Sequence, residues 1–297
     1  MNRRPVKGPW GGGNKTVAEL SSALTHLGHE VFYSLDRSDF DVLVCIDPRP
    51  NSEGVWYQTL LNYKNQFNSK IIQRVGDVGS HGKPDLFELV KETVKFSDKV
   101  VYTSSWAKDI IGSKQKNQIV IPNKPSSIYH KFKKKSSICD TVTIVTQHWA
   151  HNLQKGVDTY EFIDKNLKDQ VDFTYIGRVP DGFSFKNSRY ITPKDNEFLA
   201  KNLPNHDIYL TASKEEAGAN HVLEGMAAGL PVIYHSGGGS IPEYVGGLGL
   251  SFSDNEDLMN TIEMLVKNFD KFQDMCLKYN DTIDETIEEY IKVICET

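Results

Sequence analysis

Two glutamates separated by seven residues, Glu216 and Glu224, flank a loop-to-helix transition in the stretch Thr211-Ala-Ser-Lys-Glu-Glu-Ala-Gly-Ala-Asn-His-Val-Leu-Glu-Gly-Met-Ala-Ala-Gly-Leu-Pro-Val-Ile233. Carboxylates accept hydrogen bonds, and a pair of such acceptors suits the vicinal hydroxyls of a sugar or a ribose. Asn220 is the expected N-cap, which puts Glu224 on the first turns of the helix. The spacing alone says little, because Glu288 and Glu296 repeat it with no loop around them. A second candidate is Gly11-Gly12-Gly13-Asn14, ahead of another amphipathic helix. Glycines there let backbone N–H groups approach a phosphate, and the helix dipole favours its charge. A dinucleotide fingerprint would need a third glycine where Thr16 stands, although Asp36 is an acid at about the expected distance, so NAD stays an alternative ligand at this point.

The elements that must position these residues follow from periodicity. Val17, Leu20, Leu24 and Leu27 recur at helical spacing and stop at Gly28. Short β-rich runs at 30–35, 42–46, 71–75, 100–103 and 119–121 alternate with helical patterns at 55–66, 84–96 and 106–111. That alternation predicts a parallel sheet with right-handed crossovers. Residues 126–140 hold Lys131, Lys133, Lys134 and Lys135 among several serines, and read as a solvated linker. Strands at 142–147, 171–176, 208–211 and 231–234 then alternate with helices at 157–167, 195–203 and 220–228, and 254–296 is helical throughout. The expected architecture is α/β, with two Rossmann-like, doubly wound parallel-sheet domains facing a cleft. Residues 1–125 are expected to form the first domain, 126–140 the linker, 141–280 the second domain, and 281–297 a C-terminal helix.

Composition sets the outer bounds. The 297 residues include 39% hydrophobic and 25% charged, which fits a globular protein of about two domains. Thirty-four basic against 39 acidic side chains give a net charge of −5, so no nucleic-acid partner is expected. Cys45, Cys139, Cys276 and Cys295 form no metal-binding or disulfide pattern, and neither an 18-residue apolar span nor a signal-peptide core is visible. A cytoplasmic location is expected, with peripheral membrane contact left open.

The stretch from Thr211 to Ile233 resembles the E-x7-E region of the family 4 retaining glycosyltransferases (glycosyl transferases group 1), which have the GT-B fold. The likeness extends to Gly11 through Asn14, to Gly28-His-Glu-Val, to Gln147 through Gly156 with its Lys-Gly ending, to Tyr175-Ile-Gly, and to Gly237-Gly-Gly-Ser-Ile-Pro-Glu-Tyr, and so covers most of the chain. It implies a hexose moved, with retention, from a UDP- or GDP-sugar to a hydroxyl of a glycan, lipid-linked or protein acceptor, with no cofactor and no metal. By this resemblance Glu216 holds the transferred sugar and Glu224 the ribose. The backbone at Gly218, Ala219 and Asn220 meets sugar hydroxyls or diphosphate, Lys155 binds phosphate, and Gly12 and Gly13 add N–H donors. Arg74-Val-Gly-Asp77-Val-Gly-Ser-His81 resembles an Arg-x-Asp-Gly loop with Gly and Asp exchanged, which points Asp77 or His81 at the acceptor or the sugar. The family's arginine five residues before the lysine is replaced by Ala150, and Arg178 is the expected substitute. That departure motivates the alternative of a non-catalytic relative that binds a nucleotide sugar or acts as a partner subunit.

Overall fold

The computed structural model describes residues 1–6 and 12–297, so Gly11 lies outside the described residues. Contacts divide the chain into two units, Met1–Asn123 with Ile283–Thr297, and Lys124–Thr282. The first unit runs α1 (Gly12–His26), β1 (Val42–Cys45), α2 (Tyr57–Phe67), β2 (Lys70–Val75), α3 (Pro84–Thr93), β3 (Lys99–Tyr102), α4 (Ser105–Ile111) and β4 (Gln118–Val120). Its four strands are parallel, in the order β1-β2-β3-β4. Ile71, Ile72, Val100 and Val101 are all buried, as strands covered by helices on both faces must be.

The strand expected at 30–35 does not form. The segment that would pair with it on one side and with β1 on the other contributes one backbone bond to each. Asn2 N–H donates to Val44 O at 3.1 Å, and the Met1 amine donates to Phe32 O at 2.7 Å. One bond does not make a ladder, so residues 30–35 stay irregular. They are held by Phe32 against Phe40, with ring centroids 5.4 Å apart, and by Arg37 over the Phe32 ring.

The second unit contains β5 (Val142–His148), α5 (Val157–Asn166), β6 (Val171–Gly177), β7 (Arg189–Ile191), α6 (Asn196–Asn202), β8 (Ile208–Thr211), α7 (Asn220–Ala227), β9 (Val232–His235), α8 (Ile241–Val245), β10 (Gly249–Phe252), α9 (Asn255–Lys267) and α10 (Phe269–Lys278). All six strands are parallel, in the order β10-β9-β8-β5-β6-β7. The order reverses between β5 and β8. The loops leaving these two strands therefore diverge, and that is where such sheets place ligand sites.

Residues 126–140, expected as a solvated linker, group with the second unit, although most of 131–140 is exposed. A 3-10 turn over Ser127–Phe132 buries Tyr129 in the second unit's core, beside Tyr209 and Met226. The lysines that suggested solvation bind that unit: Lys133 Nζ donates to Tyr279 O at 2.6 Å, Lys134 Nζ to Asn205 Oδ1 at 2.8 Å, and Lys135 Nζ to Asp274 Oδ1 at 3.0 Å. The helix expected at 281–297 is α11 (Ile283–Glu296), and it belongs to the first unit. Its Ile283, Ile287, Tyr290 and Val293 pack with Leu20 and Leu24 of α1. Among the described residues no helix is long and apolar enough to cross a membrane.

Leu20 is fully buried at this contact, whereas Leu27 on the same segment is 57% exposed. Leu20→Ala is expected to cost about 2–5 kcal/mol in urea unfolding, as a buried leucine that leaves a cavity does. Leu27→Ala serves as the control, and equal effects of the two would contradict the packing of α11 on α1.

Candidate functional site

The loop after β5 carries Lys155 at the end of a 3-10 turn, Leu153–Lys155. Gly156 then turns the chain into α5 with φ 79°, and a Cβ there would lie 2.3 Å from the Ala212 Cβ. Only glycine fits that approach, and it presses the Lys155 loop against the loop after β8. Lys214 N–H reaches back to Gln154 O at 2.9 Å, which ties the two loops a second time.

Glu216 sits on the β8 loop and is held through its backbone. Its N–H donates to Gly238 O at 3.2 Å, and its carbonyl accepts from Ser240 N–H at 2.8 Å, in a one-residue parallel bridge with Gly239. Glu215, just before it, adopts φ 54°, a left-handed conformation that costs a non-glycine residue energy and marks a constrained turn. A Cβ on Gly239 would stand 2.5 Å from Glu216 O. The run Gly237-Gly238-Gly239 thus clamps the glutamate's backbone while its side chain is directed by charge. The Glu216 carboxylate pairs with the Lys155 ammonium, the two side chains being only 11% and 10% exposed. Its Oε1 also lies 3.7 Å from His221 Nε2.

The helix that follows begins one residue earlier than an Asn220 cap implies: Ala219 occupies the cap position and Asn220 is the first helical residue of α7. Two of the three expected amides are already engaged. Ala219 N–H donates to Ser240 Oγ at 3.3 Å, and Asn220 N–H to Gly218 O at 3.0 Å. Ser240 is a residue that sequence reasoning did not single out. The side chains compensate, since Asn220 Oδ1, His221 Nε2, Ser213 Oγ and Asn152 Oδ1 are buried without a hydrogen-bond partner. Open polar atoms on two loops at one strand switch are what a ligand rich in hydroxyl or phosphate oxygens satisfies.

Glu224 lies about one turn into α7 and is buried, with Gln147 Nε2 donating to its Oε2. Tyr129 is beside it, and burial together with the Glu224 carboxylate pushes that phenol well above its ordinary pKa. Behind both glutamates runs a chain of rings. His221 Nδ1 bonds Tyr209 Oη at 3.0 Å, and His148 meets His221 edge-on with centroids 5.0 Å apart. His148 Nε2 bonds Tyr160 Oη at 2.6 Å, and Tyr160 Oη accepts Ala212 N–H at 2.9 Å. Tyr129 and Gln147 were not foreseen as site residues. Tyr129 was hidden by its polar neighbours, and Gln147 looked like the last residue of a strand.

Arg178 is exposed, its backbone N–H bonded to His148 O at 3.2 Å and its guanidinium 4.0 Å from the Trp149 ring centroid. In the first unit, Gly12 and Gly13 open α1. Asp77 Oδ1 accepts Gly79 N–H at 2.9 Å and its Oδ2 pairs with Lys83 at 2.6 Å, while His81 lies on the same loop ahead of α3.

Two parallel α/β units of this construction define the class of the two-domain glycosyltransferase fold, and solved structures share it across nearly the whole chain. A sucrose-phosphate synthase from Thermosynechococcus elongatus superposes with a TM-score of 0.69 at 16% identity, over 96% of this chain and 93% of that one. HepE from Anabaena in complex with UDP-glucose gives 0.74 at 11% identity, with 98% of each chain covered. WaaG, a glycosyltransferase involved in lipopolysaccharide biosynthesis, gives 0.68 at 13% identity, again over 98% of each chain. At these identities the likeness speaks for the fold alone. Residues 147–268, which contain Lys155, Glu216 and Glu224, match the family model for glycosyl transferases group 1. That segment is similar to the glycosyl transferases of group 1. No curated protein sequence matches it.

Gly239→Ala tests the clamp. A methyl group 2.5 Å from Glu216 O, at φ 69°, must push the loop away. The expected result is a loss of about 2 kcal/mol of stability in the second unit and displacement of Glu216. Gly182→Ala, at φ 79° with nothing within 4 Å, is the control for backbone strain alone and should show the smaller loss by thermal unfolding.

Proposed function

We propose that the protein is a retaining, metal-independent hexosyltransferase that uses a nucleoside-diphosphate sugar. The observation that carries this reading is the Lys155–Glu216 pair at the β5/β8 switch, with Glu224 about one turn into α7. As the C1–O bond to the diphosphate breaks, negative charge grows on the leaving group, and the Lys155 ammonium stabilises it. Glu216, released from Lys155 as phosphate takes its place, accepts hydrogen bonds from the sugar hydroxyls, while Glu224 and Gln147 hold the ribose. The acceptor oxygen forms its bond to C1 on the face the diphosphate leaves, and its proton passes to a leaving phosphate oxygen. Gly218, Ala219 and Asn220 border the sugar and diphosphate, the open Asn220 Oδ1 supplying an acceptor where the two amides are occupied. Arg178 is the second cation on the diphosphate, Gly12 and Gly13 are phosphate donors of the first unit, and Asp77 and His81 act on the acceptor side. UDP- and GDP-hexoses are both candidate donors. The complex of HepE with UDP-glucose favours testing UDP first.

The first test is thermal shift with UDP, GDP, UDP-glucose, GDP-mannose and NAD, without and with Mg²⁺. A ligand at 100 times its Kd should add about 2.7 kcal/mol, which moves a melting point by several degrees. A metal-independent shift with one nucleoside diphosphate is expected, and a shift with NAD alone would overturn the reading. With that donor and an acceptor screen, Glu216→Gln should lower turnover roughly a hundredfold or more while leaving the nucleoside-diphosphate Kd unchanged. Lys155→Ala should weaken that Kd. Donor binding with no turnover in the parent protein would support a non-catalytic relative.

A further inference from the structure

Arg74, next to the last residue of β2, is 5% exposed and is the only buried arginine among the described residues. Its Nη2 donates to Asn123 Oδ1 at 3.2 Å, and its Nε has no partner. Among the described residues no carboxylate pairs with it, and Lys7 through Gly11 contain no acid. A guanidinium taken out of water without a counter-ion is costly, and natural structures keep one when an anion completes it. Two glycines frame the group. A Cβ on Gly76 would fall 2.0 Å from Nη1, and one on Gly13 would stand 3.9 Å from the same atom. The guanidinium therefore points at the first turn of α1, a 15-residue helix with no acid in that turn. The first N–H groups of a helix have no intrahelical partner and favour negative charge. The hydroxyl of Tyr290, on α11, is buried beside the guanidinium.

We propose that Arg74 and the first turn of α1 form a phosphate-group site in the first unit, with Arg74 as its fixed cation. The proposal deepens the role given above to Gly12 and Gly13 and rests on that part of the reading, but it requires nothing of Glu216 or Glu224. A planar guanidinium with an open Nε–H suits the paired oxygens of a phosphate, and the adjoining glycine backbone admits a bulky anion. The phosphate belongs either to a nucleoside diphosphate or to a phosphorylated acceptor.

The test is calorimetric binding of inorganic pyrophosphate, UDP and glycerol 3-phosphate to the full chain carrying Lys155→Ala, which removes the second unit's phosphate cation. In this background, Arg74→Gln is expected to weaken pyrophosphate roughly tenfold or more, and Arg74→Lys to recover part of the loss. Gly13→Val, which keeps Arg74 and covers it, should have a similar effect and decides the matter alone if Arg74→Gln does not fold. An equal loss for UDP identifies the donor diphosphate as the source. A loss confined to glycerol 3-phosphate and pyrophosphate identifies an acceptor phosphate. Pyrophosphate affinity unchanged by Arg74→Gln and Gly13→Val, or abolished by Lys155→Ala alone, overturns the proposal and leaves Arg74 a support for the Gly76 turn. Failure of Glu216→Gln to slow turnover would count against the transfer mechanism and not against this site.

Discussion

Glu216 is placed by a backbone contact so close that a single methyl group at position 239 would occupy it. The three glycines after β9 permit the parallel bridge, and the strained turn at Glu215 delivers the glutamate into it. Gly156 makes the corresponding approach to Ala212 from the loop after β5. These contacts join three loops from neighbouring strands into one platform. The platform, more than any helix, sets where Lys155 and Glu216 meet. The side chains that could do chemistry are therefore fixed from below by residues that have no side chain at all.

Charge on this platform is balanced within the protein. An ammonium and a carboxylate with about a tenth of their surface exposed neutralise each other within the protein. Such a pair adds little net stability, because desolvation offsets the attraction. The rings of Tyr209, His221, His148 and Tyr160 pack together in the same unit.

Much of this was legible in the sequence. The β-rich runs at 142–147, 171–176 and 208–211 were buried on both faces and so read as strands without ambiguity. Glu216, Glu224 and Lys155 announced themselves by motif. What was not legible depended on partners distant in the chain. Residues 30–35 have the composition of a strand and fail to become one because their neighbour supplies a single bond. β7, three residues long, and β10 exist only as edge additions to a sheet already formed. Tyr129 is buried among lysines whose ammonium groups find acceptors on α10, on the turn after it and near α6, so its polar surroundings gave a misleading signal. The cap of α7 moved to Ala219 because Ser240, twenty-one residues away, already serves that turn.

The return of α11 to the first unit has a consequence for how the chain is made. The second unit is a continuous stretch, Lys124–Thr282, set inside a first unit whose last helix is the last element of the chain. During synthesis the second unit can fold as soon as it emerges, since domains fold as units from the N-terminal side. The first unit, although begun earlier, is completed only when Ile283, Ile287, Tyr290 and Val293 leave the ribosome and join Leu20, Leu24, Ile72, Val101 and Ile121 in one cluster. The unit begun first is thus completed after the one begun second.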